Sequence, residues 1–316
     1  MTPHRVSKAA ALHLGVIAVL FALQFVLPDY HHVNLARIMV LASFAMGYNI
    51  AFGYTGLLSL GHAMFFAAGL YAAGLMAQFA GVGAGGGLVL GVIAGLVTAA
   101  AVGGLALRTT GVSFMIVTLM FAQAAFLATF YFGEYTRGDE GFVIPSHLRT
   151  LFGLSLFEPT TRYFVALALF ALCMAISFAI ARSSMGRVLA AIRENEERTR
   201  MLGYNVFLYK LAALAISGAI AGAVGAAYGM LFGYVGATFA SIQYSILPLL
   251  WVLMGGAATV LGPFVGTLLM FYLVDISSGV TTANMLIVGL ALIGLILFFP
   301  KGILGTLRER VAPWLP

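Results

Sequence analysis

The densest run of ionisable side chains in this chain is Arg193-Glu194-Asn195-Glu196-Glu197-Arg198-Thr199-Arg200. Acids and bases alternate there with no nucleophile beside a base and no set of metal ligands. Such a run suits recognition of another surface rather than bond-making. The other reactive residue types are scattered. His31-His32 has no further ligand nearby and reads as a solvated pair, and the single cysteine, Cys173, lies in an apolar stretch and reads as a buried thiol. No Gly-Lys pair occurs, so a phosphate-binding P-loop is excluded, and neither His-Glu-x-x-His nor Cys-x-x-Cys is present. The chain is not expected to be an enzyme, nor to bind a metal or cofactor itself.

Two further segments carry polar backbone through apolar surroundings. The first is Gly53-Tyr54-Thr55-Gly56-Leu57-Leu58-Ser59-Leu60-Gly61-His62, and the second is Gly255-Gly256-Ala257-Ala258-Thr259-Val260-Leu261-Gly262-Pro263. Unwound backbone at membrane depth is tolerated only where protein or a water-filled cavity satisfies it, and paired helix breaks in a transporter point to the solute pathway. Tyr54, Thr55, Ser59, His62, Gly255, Gly256 and Thr259 are therefore candidate pathway residues. The alternative is that both segments are tight turns between neighbouring spans. His62 has the same two readings, a hydrogen-bonded packing histidine or a polar group facing the pathway or a partner subunit. Leu60-Gly61-His62 and Leu261-Gly262-Pro263 match as possible equivalent points of an internal repeat.

The elements that must position these residues are set by composition. The 316 residues are 62% hydrophobic and 8% charged, with a mean hydropathy of +1.05, against roughly a quarter charged in soluble domains. Residues 38–107 and 211–274 contain no Lys, Arg, Asp or Glu. A charge at the bilayer centre costs about 2.5–3.5 kcal/mol on insertion scales, so these stretches read as stacked membrane spans. The expected spans are 9–27, 33–52, 57–80, 87–107, 112–132, 162–181 and 209–232, then a broken stretch 243–275 and a last span 284–299. The first reads as an uncleaved span rather than a signal peptide.

Charge sets the parity. If the broken stretch crosses twice, ten spans place both termini inside. Twelve of the sixteen basic residues then lie inside, as the positive-inside rule requires, against four acids inside and six outside. A re-entrant hairpin at 243–275 gives the same parity. The expected fold is an all-α polytopic membrane protein of about ten transmembrane helices, some broken, with N- and C-termini cytoplasmic. It forms one transmembrane domain over residues 1–316. The net charge of +6 reads as this orientation signal and not as a nucleic-acid surface, since the bases are not interleaved with aromatics. The 133–161 loop, with its Gly, Pro and mixed charges, is expected to be a small periplasmic cap. The 182–208 loop is the one sizeable soluble-looking segment on the inner side. Val188, Leu189 and Ile192, and after the charged run Met201-Leu202, are expected to form short apolar faces there, with a helix stop at Gly203-Tyr204-Asn205. Gly218, Gly222, Gly225, Gly229 and Gly233 place small residues nearly on one helix face, which favours close helix packing.

At this inner loop the sequence resembles the M-type permease subunit of branched-chain amino-acid ABC importers, the Liv family. Gly53 to Ala63 resembles the family's early signature, Gly186-Arg187 through Ala191-Ile192-Arg193-Glu194-Asn195-Glu196 its cytoplasmic signature, and Leu253-Met254-Gly255-Gly256 with Leu261-Gly262-Pro263 its late one. Importer permeases carry a Glu-Ala-Ala-x-x-x-Gly motif that docks on the ATPase. Glu197 and Gly203 have its spacing, with Arg198 and Thr199 in place of the alanines. The resemblance implies that Arg187, Arg193, Glu194, Asn195, Glu196, Glu197 and Gly203 couple to an ATPase. It implies an H-type permease partner, two cytoplasmic ATPases holding ATP-Mg, and a periplasmic binding protein, all at a bacterial inner membrane. Within the same family, relatives that move urea or short amides are the alternative; from another class, a secondary carrier or channel.

Overall fold

The computed structural model describes residues 3–280 and 283–310; the extreme termini, whose side was inferred above from charge, lie outside them. In chain order the helices are α1 (Pro3–Leu23), α2 (Asp29–Asn49, continued by a π-helical turn Ile50–Tyr54), α3 (His62–Ala80), α4 (Ala84–Ala106), α5 (Gly111–Tyr131) and the short α6 (Gly133–Thr136). Then come α7 (Pro159–Arg182), α8 (Ser184–Glu194), α9 (Glu196–Met201), α10 (Val206–Phe232), α11 (Ile242–Gly255), α12 (Gly262–Val280), α13 (Asn284–Phe298) and α14 (Ile303–Arg310). Seven helices among the described residues are long and apolar enough to cross a membrane, and three shorter apolar ones lie in α1, α11 and α13. The protein is a multi-pass helical membrane protein.

Sequence and structure differ at two kinds of boundary. The span expected from residue 57 becomes helical only at His62, because the apolar Leu57, Leu58 and Leu60 occupy a non-helical strip of chain. The broken stretch resolves into α11 and α12, separated by residues 256–261.

α10 is the central post. It packs on α3, α4 and α2, and the glycine face read from sequence is what lets it approach. A Cβ placed on Gly222 would fall 2.3 Å from the carbonyl oxygen of Gly91, and one on Gly69 would fall 2.0 Å from that of Gly222. Gly218 and Gly95 interlock in the same way, at 2.7 and 2.2 Å from one another's carbonyls. In lipid there is little hydrophobic drive between helices, so contact distance rather than apolar area decides packing. Gly233 differs in role from the rest of that face. It ends α10 at φ +81, where the Arg149 guanidinium donates to the carbonyls of Met230 (2.7 Å) and Leu231 (2.6 Å). A cation on the last carbonyls of a helix satisfies orphan acceptors and the dipole together.

Arg149 belongs to the 133–161 segment, which folds over this end of the bundle. Its strand β1 (Phe142–Val143) pairs antiparallel with β4 (Tyr234–Val235), and β2 (Thr150–Leu151) pairs with β3 (Leu154–Ser155). Phe142, Ile144 and Leu156 are buried beneath it.

Two glycine substitutions should separate packing from propensity. Gly222→Val is expected to remove most folded protein, read as loss of a monodisperse peak in detergent, because backbone cannot yield to a 2.3 Å contact. Gly104→Ala, with nothing within 4 Å, should hold or raise the melting temperature, by up to about 1 kcal/mol of helix propensity.

Candidate functional site

One end of the bundle gathers the two helix breaks, the 182–210 segment and α14. The first break leaves α2 through the π-turn, and several of the polar groups around it are paired, while the Tyr54 hydroxyl and His62 Nδ1 are buried without a partner among the described residues. The hydroxyl of Tyr48 donates to the carbonyl of Ser59 (3.1 Å), the Gly61 N–H to Ser59 Oγ (3.1 Å), the Leu60 N–H to Thr118 Oγ1 (3.2 Å) and the Ala63 N–H to Ser245 Oγ (3.0 Å). Ser217 Oγ donates to the Gly47 carbonyl at 2.6 Å, so its single proton is used, and His62 Nε2 must donate to it across 2.8 Å. His62 is fully buried, with its ring edge-on to Tyr48 at 4.5 Å.

The second break is held by the first. Asn49 Nδ2 donates to the Thr259 carbonyl (2.9 Å), and Asn49 Oδ1 accepts from the Ala258 N–H (3.0 Å). One amide thus satisfies a donor and an acceptor of a chain 210 residues away. Thr259 closes its own turn, donating to the Gly256 carbonyl at 2.7 Å and accepting from the Gly262 N–H at 3.1 Å. Ala258 sits at φ +58, a left-handed conformation that costs a residue with a Cβ about 1–2 kcal/mol. Gly255 crosses Gly262 so closely that a Cβ would lie 1.7 Å from its carbonyl oxygen, and Gly256 meets Gly302 and Gly305.

Each break also receives an arginine. Arg193 of α8 donates to the Gly53 carbonyl, and Arg308 of α14 donates to the Ala258 carbonyl at 3.0 Å. Arg193 stands between two openings at this end. One, of about 490 Å³, is lined by Thr55, Gly56, Thr110, Glu196 and Lys210; the other, of about 340 Å³, by Phe52, Leu253, Ala258 and Arg308.

The 182–210 segment is built by three caps in succession. Ser183 Oγ accepts from the Gly186 N–H (3.0 Å) to start α8, Asn195 Oδ1 from the Arg198 N–H (2.9 Å) to start α9, and Asn205 Oδ1 from the Leu208 N–H (3.2 Å) to start α10. Each cap satisfies one orphan amide and is worth about 1 kcal/mol. α8 buries Val188, Leu189 and Ile192, and with Val206 this face holds the segment to the bundle. Arg187, Glu194, Asn195, Glu197 and Gly203 are exposed, whereas half-buried Glu196 is bound by Lys210 and by Arg200 at 3.2 Å. Met201 and Leu202, also expected to form a short apolar face, stand outside the buried face of α8. They are 84% and 75% exposed, because α9 stops at Met201 and Gly203, at φ +89, turns the chain at the tip.

Tyr54, Thr55, Ser59, His62, Gly255, Gly256 and Thr259 are therefore all buried at the two breaks. Asn49, Thr118, Ser217, Ser245 and Arg308, which hold those breaks, were not singled out by motif. Asn49 carried one signal, an amide in the middle of an apolar span, where polar groups are costly.

Residues 33–299 match the family described as the permease component of the branched-chain amino acid transport system. The chain belongs to that family. It is similar to the high-affinity branched-chain amino acid transport system permease protein LivM of Salmonella typhimurium and to that of Escherichia coli, 29% identical to each over 300 residues, covering 86% of this chain and 69% of theirs. No solved structure matches. The branched-chain permease family is one of transport rather than catalytic subunits, and this chain is the permease subunit of an ABC importer. The family match begins at Val33, so α1 lies ahead of the shared region while both breaks and the 182–210 segment lie within it.

Asn49→Ala should strand the Ala258 N–H and the Thr259 carbonyl, lowering stability by about 2 kcal/mol or more. Ala258→Gly should raise it by about 1 kcal/mol by removing the left-handed cost. Thermal melts of the purified variants in detergent check both signs.

Proposed function

We propose that this permease moves branched-chain or related amino acids across a bacterial inner membrane, with a periplasmic binding protein delivering the solute to the 133–161 side. Two cytoplasmic ATPases, which hold ATP-Mg, dock on the 182–208 segment, and an H-type permease completes the pathway. In this reading residues 1–316 form one domain that crosses the membrane ten times, α1 to α5, α7 and α10 to α13 being the crossings, and both termini are cytoplasmic. The permease itself carries no cofactor and contacts no nucleic acid.

One observation carries the docking assignment. Met201 and Leu202, exposed apolar side chains, project from the most charged segment of the chain beside exposed Glu197 and Arg198. Two apolar side chains held at a short, capped tip suit insertion into a groove, and the surrounding charges suit alignment of the partner. Arg187, Glu194, Asn195 and Gly203 frame that contact. Arg193 and Glu196 act from behind it, Arg193 by tying α8 to the first break through the Gly53 carbonyl. Movement of the docked segment then reaches Gly53, and through Asn49 it reaches Thr259. Tyr54, Thr55, Ser59, His62, Gly255, Gly256 and Thr259 form the hinged wall of the pathway in this scheme.

The test is ATP-driven uptake by the assembled complex in vesicles. Glu197→Lys and Gly203→Pro are expected to lower leucine uptake at least about tenfold while the protein still inserts and the ATPases still turn over. Normal uptake by both variants would refute the docking assignment. Uptake by this protein without any ATPase would sink the importer reading, and competition by urea or acetamide but not leucine would reassign the solute within the family.

A further inference from the structure

Arg37 departs from the pattern of its helix. From Asn34 to Ala51 every residue is buried except Arg37, which is exposed. α2 packs on α7, α10, α11 and α12. Among the described residues no carboxylate pairs with Arg37. Its guanidinium carbon lies 5.3 Å from the centroid of the Phe232 ring, and that of Arg162 lies 5.8 Å from the same ring. Arg162 donates to the Leu156 and Phe157 carbonyls, which leaves Arg37 as the cation with free donors. Phe232 packs in turn on Tyr228 of α10, 4.6 Å between ring centroids, and Tyr228 and Tyr244 of α11 both pack on Phe239 at 5.0 Å. An arginine on an apolar helix, held over an aromatic ring with no ion pair among the described residues, is suited to meet an anion.

One turn further along α2, Leu41 shares the face of Arg37; on α11, Leu247 and Trp251 share the face of Tyr244. Leu41, Leu247 and Trp251, with Val274 and Asp275 of α12, line a cavity of about 270 Å³. Asp275 is the one carboxylate on that wall. Its Oδ2 accepts from the Tyr30 hydroxyl at 2.7 Å, and Oδ1 has no partner among the described residues. An apolar cavity with a carboxylate on its wall thus lies one turn of α2 from Arg37.

We infer that this cavity between α2, α11 and α12, with Arg37 beside it, is a transit site for a zwitterion with an apolar side chain. Arg37 takes its carboxylate, Asp275 takes its ammonium, and Leu41, Leu247 and Trp251 receive the side chain. The inference rests on the importer reading above and locates where the permease touches its solute. The anion on Arg37 has one competing source, a lipid headgroup, to which a long side chain can snorkel.

The test uses the assembled importer in vesicles with leucine and its binding protein. ATP-driven uptake by the unmodified complex must be present first; its absence would remove the importer reading itself, and with it this site. Given that uptake, Arg37→Gln and Asp275→Asn are each expected to lower the rate at least about tenfold, the loss of one charge-assisted contact. Stimulation of the ATPases by the loaded binding protein should stay within twofold, and Arg37→Lys should retain more uptake than Arg37→Gln. Unchanged uptake in the two neutral variants would overturn the site, and so would a parallel loss of ATPase stimulation, which would mean docking or folding had failed. Arg37→Cys on a Cys173→Ala background distinguishes the source of the anion. Labelling by a membrane-impermeant sulfonate reagent from the outer side, slowed by leucine, is the expected result. Labelling only by a lipid-soluble reagent would assign Arg37 to headgroups and overturn the proposal.

Discussion

A backbone amide or carbonyl that leaves a helix inside lipid has no water to turn to, and the architecture of this permease follows from meeting that constraint twice. Residues 55–61 and 256–261 are two strips, packed against one another, where helical bonding stops. Their freed groups are taken up by Tyr48, Asn49, Ser59, Thr118, Ser245 and Thr259. Asn49 matters most, because it is the residue that binds one break to the other. Remove it and two buried backbone groups separated by 210 positions from their partner lose their bonds together. The breaks are expensive alone and stable only as a pair.

That pairing explains why the charged segment lies where it does. Arg193 and Arg308 end on the Gly53 and Ala258 carbonyls, so each break is gripped from within by Asn49 or its neighbours and from outside by a guanidinium carried on a polar-facing helix. Neither arginine makes an ion pair among the described residues. A cation donating to carbonyls at an interrupted helix satisfies acceptors that would otherwise be orphaned, which is the same service that Arg149 gives to the far end of α10.

Much of this was legible in sequence. The charge-free stretches held apolar spans, and the glycine-rich interruptions located both breaks, whereas the caps at Ser183, Asn195 and Asn205 came only with the structure. What hydropathy could not register was backbone state. Leu57, Leu58 and Leu60 are as apolar as any span residue, yet they lie before α3 begins, since lipophilicity reports where a residue sits and not how its backbone is bonded. Met201 and Leu202 are the converse case, an apolar pair turned outward by a capped six-residue helix that ends beside a glycine. The partners of the breaks were hidden because Ser217, Thr118 and Ser245 are unremarkable in their own helices and acquire meaning only across the bundle.

The contacts among α3, α4 and α10 have a mechanical consequence. Where Gly69, Gly91, Gly95, Gly218 and Gly222 meet, main chain rests on main chain, with no side-chain torsion in between to absorb displacement. Such a junction has almost no soft degrees of freedom, so the three helices must travel as one stiff body. Any rearrangement that opens the protein first to one face of the bilayer and then to the other has to be accommodated elsewhere. The seams available are those where side chains intervene, between α2 and its neighbours α7, α11 and α12.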